Sequence, residues 1–187
     1  MSRTVTCGIG LTLVVTCLAA VSTAQSREAT QPKDQPRGLY QSPDGALVAR
    51  VLPIGGPGWE WSESRIEIRT RGGRLLRYVS FAFPGHQHGE GVERAAWTPD
   101  SKFFVFDTNF SGGHQPWHAP AYFYARRQNR FRRLDDYVGP GPSVAFSVAP
   151  PDVVRIDVYD PVTGANRGYD TYRSVRIRLD TLEVSGP

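Results

Sequence analysis

Apolar and polar residues alternate with period two in separate stretches of the chain after residue 38. In "RIEIRTRGGRLLRYVSF", residues 65–81, Ile66 and Ile68 alternate with Arg65, Glu67 and Arg69 before the pair Gly72-Gly73. Strict alternation bounded by a two-glycine step predicts a β-hairpin with one buried face. "AYFYARRQNRFRRL", residues 121–134, predicts a second hairpin turning at Gln128-Asn129. "YRSVRIRLDTLEV", residues 172–184, predicts a third. No window longer than one turn carries the 3.6-residue period of an amphipathic helix, so the fold class is all-β.

Three segments resemble one another. They are "YQSPDGALVARV" from Tyr40, "AWTPDSKFFVFD" from Ala96 and, more weakly, "FSVAPPDVVRIDVYD" from Phe146, with Pro43, Pro99 and Pro151 in matched positions. Each sets a Pro-Asp step ahead of a β-branched or aromatic run. Proline presets the first central turn position and aspartate bonds a following amide, so each segment reads as a strand-turn-strand corner.

The "SPDG" of residues 42–45 and the "TPDS" of residues 98–101, each followed by an apolar strand, resemble the blade signature of TolB-like and dipeptidyl-peptidase-like β-propellers. That resemblance implies four-stranded antiparallel blades and covers about a dozen residues per repeat. Closed propellers use about four to eight blades, and three repeats fall short of that. Antiparallel blade-like hairpins in an open β array, closure by oligomerisation with another chain, and a sandwich or barrel all remain open on this reading.

The N-terminus lies outside this pattern. Arg3 is the only charge before Arg27, and residues 9–21 form an apolar run ending at Ser22-Thr23-Ala24. The run is short for a bilayer span, which takes roughly 20 apolar residues. Its flanks match a secretory signal peptide over residues 1–24, cleaved before Gln25. A periplasmic or secreted protein with no membrane span after cleavage is expected. Both cysteines, Cys7 and Cys17, would be removed, which excludes disulfides from the mature chain. Residues 25–37, "QSREATQPKDQPR", contain two prolines and no aliphatic residue larger than alanine, and read as a disordered linker. Residues 38–187 remain as a single domain with a core of its own.

Charge narrows the function classes. Without Arg3, 21 Lys and Arg face 18 Asp and Glu, a modest +3 that gives no support to nucleic-acid binding. No phosphate-cradling glycine loop leads into a helix, so no nucleotide cofactor site is expected.

Two clusters carry candidate chemistry. All four histidines fall in two Gly-Pro loops, His86 and His88 in "PGHQHGEG" and His114 and His118 in "SGGHQPWHAP". Three of the four imidazoles, with Glu90 or Glu93, would make a metal site with an open position for water. The spacing His86-x-His88 and then Glu93 matches part of a cupin motif, but the surrounding glycines and proline do not. A packed loop with its histidines bonded to backbone carbonyls is the competing reading. The second cluster is "RRQNRFRR", in which Arg126, Arg127, Arg130, Arg132 and Arg133 crowd one hairpin. In an exported protein these suit a partner protein or an anionic envelope component; alternatively they pair with Asp135 and Asp136. Weaker candidates are Ser111 beside His114, the pair Asp157 and Asp160, and Trp59 and Trp61 in a glycine-rich loop. The chain thus reads as a non-catalytic binding or structural β module, with a metal-binding protein or metal-dependent enzyme as the alternative.

Overall fold

A computed structural model describes residues 38–54, 63–85, 89–110, 119–140, 146–159 and 172–184. These form three antiparallel sheets, one per sequence repeat, and no closed barrel among the described residues. Sheet A runs β1 (Gly38–Gln41), β2 (Leu47–Ile54), β3 (Glu63–Thr70) and β4 (Leu75–Ser80) in spatial order. Sheet B repeats that order with β5 (Glu90–Trp97), β6 (Phe103–Phe110), β7 (Ala121–Ala125) and β8 (Arg130–Arg133). Sheet C has three strands, β9 (Ser147–Ala149), β10 (Val153–Tyr159) and β11 (Tyr172–Arg178). The expected all-β class and blade-like hairpins are present, arranged as an open array.

The repeated Pro-Asp turns occupy the same place in each sheet, between its first and second strands. Turn one and turn two share their hydrogen bonds. Ser42 Oγ donates to Asp44 at 2.6 Å and accepts the Leu47 amide at 3.0 Å. Thr98 Oγ1 donates to Asp100 at 2.7 Å and accepts the Phe103 amide at 3.1 Å. Each turn also needs one left-handed residue, Gly45 at φ 69° and Ser101 at φ 64°. Glycine adopts that conformation without penalty, whereas serine pays a steric cost that its hydrogen bonds offset. The turns are then linked in series: the Asp44 amide donates to Ser101 Oγ at 3.0 Å, and the Asp100 amide to the Pro151 carbonyl at 3.2 Å.

Sheet B lies between the other two, and this explains the run "FFVF". Phe104 and Phe106 face sheet A with Trp97 and Tyr124, meeting Leu47, Ala49, Val51, Ile66 and Ile68. Phe103 and Val105 face sheet C with Phe123, meeting Val154, Ile156 and Val158. The stretch of β6 covered on both faces, residues 103–106, is apolar at every position, whereas burial alternates along β2, which is covered on one. The free face of sheet A carries Glu67, gripped by Arg65 and Arg69 at 2.7 Å each, with Arg65 stacked over Tyr78 at 4.6 Å. Polar outer faces on end repeats keep a short stack soluble.

The expected third hairpin is corrected. Only its first half is a strand; Leu179–Val184 form a short helix, α2, after the one-turn helix α1 (Asp135–Val138). The cause is Asp152, buried in the third turn, whose carboxylate accepts the Asp180 amide at 2.8 Å while its carbonyl accepts that of Leu179 at 3.1 Å. Leu179 and Leu182, three apart, then both reach the core against sheet C.

Candidate functional site

The strands give the stack two chemically different ends. At one end lie the Pro-Asp turns and the hairpin tips; at the other lie the longer connections.

At the turn end, the tips of sheets A and B sit side by side. Asn129 Nδ2 donates to the Leu76 carbonyl at 3.2 Å, and Asn129 Oδ1 accepts from Tyr124 at 2.9 Å. The Arg71 amide bonds the Ala46 carbonyl and the Arg126 amide the Lys102 carbonyl, both at 2.9 Å, so each tip folds back on its own Pro-Asp turn. Arg71, Arg74 and Arg77 from sheet A and Arg127 and Arg130 from sheet B are exposed along this ridge. Lys102 is 58% exposed beside them.

The other arginines of the hairpin are held by partners within the fold. Arg126 pairs with Asp44 of sheet A and holds that carboxyl at about 2, with the hydrogen bond from Ser42 as the larger cause. Arg132 donates to the Tyr137 hydroxyl at 2.7 Å and toward the Leu182 carbonyl at 3.5 Å. Arg133 pairs with Asp135 at 3.4 Å, while Asp136 is exposed. Of the nearby rings, Tyr124 is buried, Phe131 packs against the core, and the exposed Tyr78 beside Arg77 is covered on one side by Arg65.

The loop end gathers buried polar groups. Glu63, only 1% exposed, accepts the Gly89 amide at 2.8 Å and the Phe83 amide at 3.1 Å. A Cβ on Gly89 would lie 2.2 Å from the Glu63 carboxylate, so no larger residue fits there. Ser64 Oγ accepts the Val92 amide at 3.0 Å. Glu90 accepts from Thr108 at 2.6 Å and from Tyr122 at 3.3 Å. Burial first, and the neighbouring Glu90 second, push the Tyr122 hydroxyl well above its usual range, so it stays a neutral donor.

On the opposite face of sheet B, Asp107 is buried beside a bulge in β5. It accepts the Arg94 amide at 2.8 Å, while the Arg94 guanidinium stands off at 3.8 Å. Burial therefore outweighs the ion pair, and the Asp107 carboxyl is pushed up to about 7. These carboxylates are each committed to holding a strand end or loop. None forms a paired acid and base in the described residues.

His86, His88, His114 and His118 lie outside the described residues, as do Trp59, Trp61, Ser111 and Asp160. The flanks of the histidine loops are described, and they meet. Glu90 pairs across the ladder with Phe110, and the Thr108 amide donates to the Pro120 carbonyl at 2.9 Å. Among the described residues no group of three or more His, Cys, Asp or Glu is set to hold a metal ion. Nor is any helix there long and apolar enough to cross a membrane.

Missing from the sequence reading were Arg71, Arg74 and Arg77, which the contact between Asn129 and Leu76 brings beside the arginine hairpin. Their signal was weak: the same glycine-centred tip carries them.

No protein-family model matches this chain, and no curated protein does. Among solved structures, the periplasmic gluconolactonase PpgL of Pseudomonas aeruginosa is similar at 15% identity with a TM-score of 0.42. The match covers 80% of this chain and 41% of that one, so this chain spans about two-fifths of that protein's length.

Proposed function

We propose that the protein is an exported, non-catalytic binding module whose turn end docks on an anionic component of the cell envelope. The observation that carries this reading is the ridge of Arg71, Arg74, Arg77, Arg127 and Arg130 on two adjoining hairpin tips. Guanidinium groups on rigid tips bind phosphate or carboxylate with little ordering cost. Export rests on the apolar run and small-residue step of residues 9–24.

Co-sedimentation with vesicles tests this. The mature protein binds vesicles containing phosphatidylglycerol at 0.05 M salt and is released by 1 M salt, where the screening length falls to about 3 Å. Equal binding to phosphatidylcholine vesicles, or binding indifferent to salt, would contradict the reading.

One observation favours a second reading, a metal site on the histidine loops. The flanks of both loops leave the same end of sheet B. His86, His88, His114 and His118 would supply the ligands, with Glu90 engaged elsewhere by Thr108 and Tyr122. Elemental analysis of untagged protein decides it. One transition metal per chain, lost when His86→Ala and His114→Ala are combined, supports the site; protein that stays metal-free after incubation with zinc, copper, nickel and iron removes it.

A further inference from the structure

Sheets A and B each finish with a fourth strand, β4 and β8, whereas sheet C stops at three, in the order β11-β10-β9. By the repeat order, β11 stands where β3 and β7 stand, and the fourth position is vacant among the described residues. β11 pairs with β10 along all seven of its residues and with no other described strand. An edge strand presents a row of backbone donors and acceptors ready to pair. Tyr172, Arg173, Ser174, Arg176 and Arg178 are all exposed.

The charge on this sheet selects the occupant. Arg176 stands directly across the ladder from Arg155, both exposed on the outer face. Like charges so placed repel. Arg155 is steadied by a 2.9 Å bond to Ser174; Asp157 of the same face stands one ladder pair away, opposite Ser174, and no ion pair holds Arg176 among the described residues. On the inner face, Val175 and Ile177 are only half-buried against the core between sheets B and C. Pairing of two β11 edges would bring more arginines together, so a second copy is a poor occupant. Residues 25–37, with Pro32 and Pro36, are a poor strand as well.

We infer that the edge of β11, unpaired among the described residues, accepts an extended acidic segment of a partner protein as the fourth strand of sheet C. The ladder sets its pattern: acidic residues on the outer-face row beside Arg176, and small apolar residues on the inner-face row beside Val175 and Ile177. Strand addition draws affinity from main-chain hydrogen bonds and specificity from such alternation. This surface is separate from the cationic ridge, so either reading survives the failure of the other.

The test uses the mature protein and a fluorescein-labelled peptide alternating glutamate and valine. The control peptide has the same charge with its central valine replaced by proline. The alternating peptide binds by anisotropy and slows hydrogen exchange across residues 172–178. The proline control binds at least about tenfold more weakly, a difference of about 1.4 kcal/mol. Arg176→Glu, on an exposed position, weakens binding by a similar factor while thermal stability is not lowered, since the glutamate stands opposite Arg155. Equal binding of both peptides would reduce the effect to charge and overturn the proposal, as would protection elsewhere or no binding at millimolar peptide. Sedimentation showing a dimer with residues 172–178 already protected would overturn it in favour of a second copy.

Discussion

Phe106→Ala is expected to lower the melting temperature by roughly 6–20 °C. Phe106 is fully buried, with ring centroids 5.4 Å from Tyr122, 5.8 Å from Phe81, 5.9 Å from Phe104 and 6.1 Å from Phe131. It thus ties β6 to β7 and β8 within sheet B and to the segment that follows β4 of sheet A. Emptying such a site costs about 3–5 kcal/mol, the lost transfer energy plus the cavity. For a domain of this size each kcal/mol moves the midpoint by about 2–4 °C. Leu39→Ala, at a position 72% exposed, is the matched control and shifts stability by less than about 0.5 kcal/mol. Thermal melts followed by near-ultraviolet circular dichroism measure both. A loss no larger than the control's would mean that sheets A and B do not share a packed core.

The neighbouring residue predicts a pH effect of similar size. Asp107→Asn is expected to stabilise the protein above pH 7 and to be nearly neutral at pH 4. The ordinary aspartate value is 3.8, and burial raises that of Asp107 to about 7. Between those values the folded state holds a proton that the unfolded state has released. Wild-type stability therefore falls as pH rises from about 4 to 7 and is level beyond, by up to about 4 kcal/mol at 1.36 kcal/mol per pH unit. Asparagine keeps the acceptor for the Arg94 amide and has no charge to desolvate. Urea titrations at pH 4, 6 and 8 should show the difference between variant and wild type growing with pH; a constant difference would place Asp107 in a wetter environment than its burial implies.

The turns were legible because their cause is local. Ser42 to Leu47 and Thr98 to Phe103 close on themselves within five residues, and Gly72-Gly73 and Gln128-Asn129 set their own hairpins. The apolar run Phe103 to Phe106 of β6 carries a trace of its double cover, which the repeat pattern alone did not reveal. What depends on distant partners was hidden. The helix after β11 is fixed by Asp152, 28 residues before the amide that it accepts, and period two in "YRSVRIR" gives no sign of it. The cationic ridge depends on Asn129 meeting Leu76 across 53 residues. The burial of Asp107 is likewise not signalled by the strand's own pattern.

The measurement that bears most directly on the binding role compares two double substitutions of equal charge in vesicle titrations. Arg74→Gln with Arg130→Gln removes one cation from each hairpin tip; Arg155→Gln with Arg176→Gln removes two from sheet C. At about 1 kcal/mol per arginine near an anionic surface, the first pair weakens binding to phosphatidylglycerol vesicles roughly 30-fold, and the second leaves it within about twofold. Equal losses in the two variants would show that net charge alone draws the protein to anions and would contradict a binding site at the turn end.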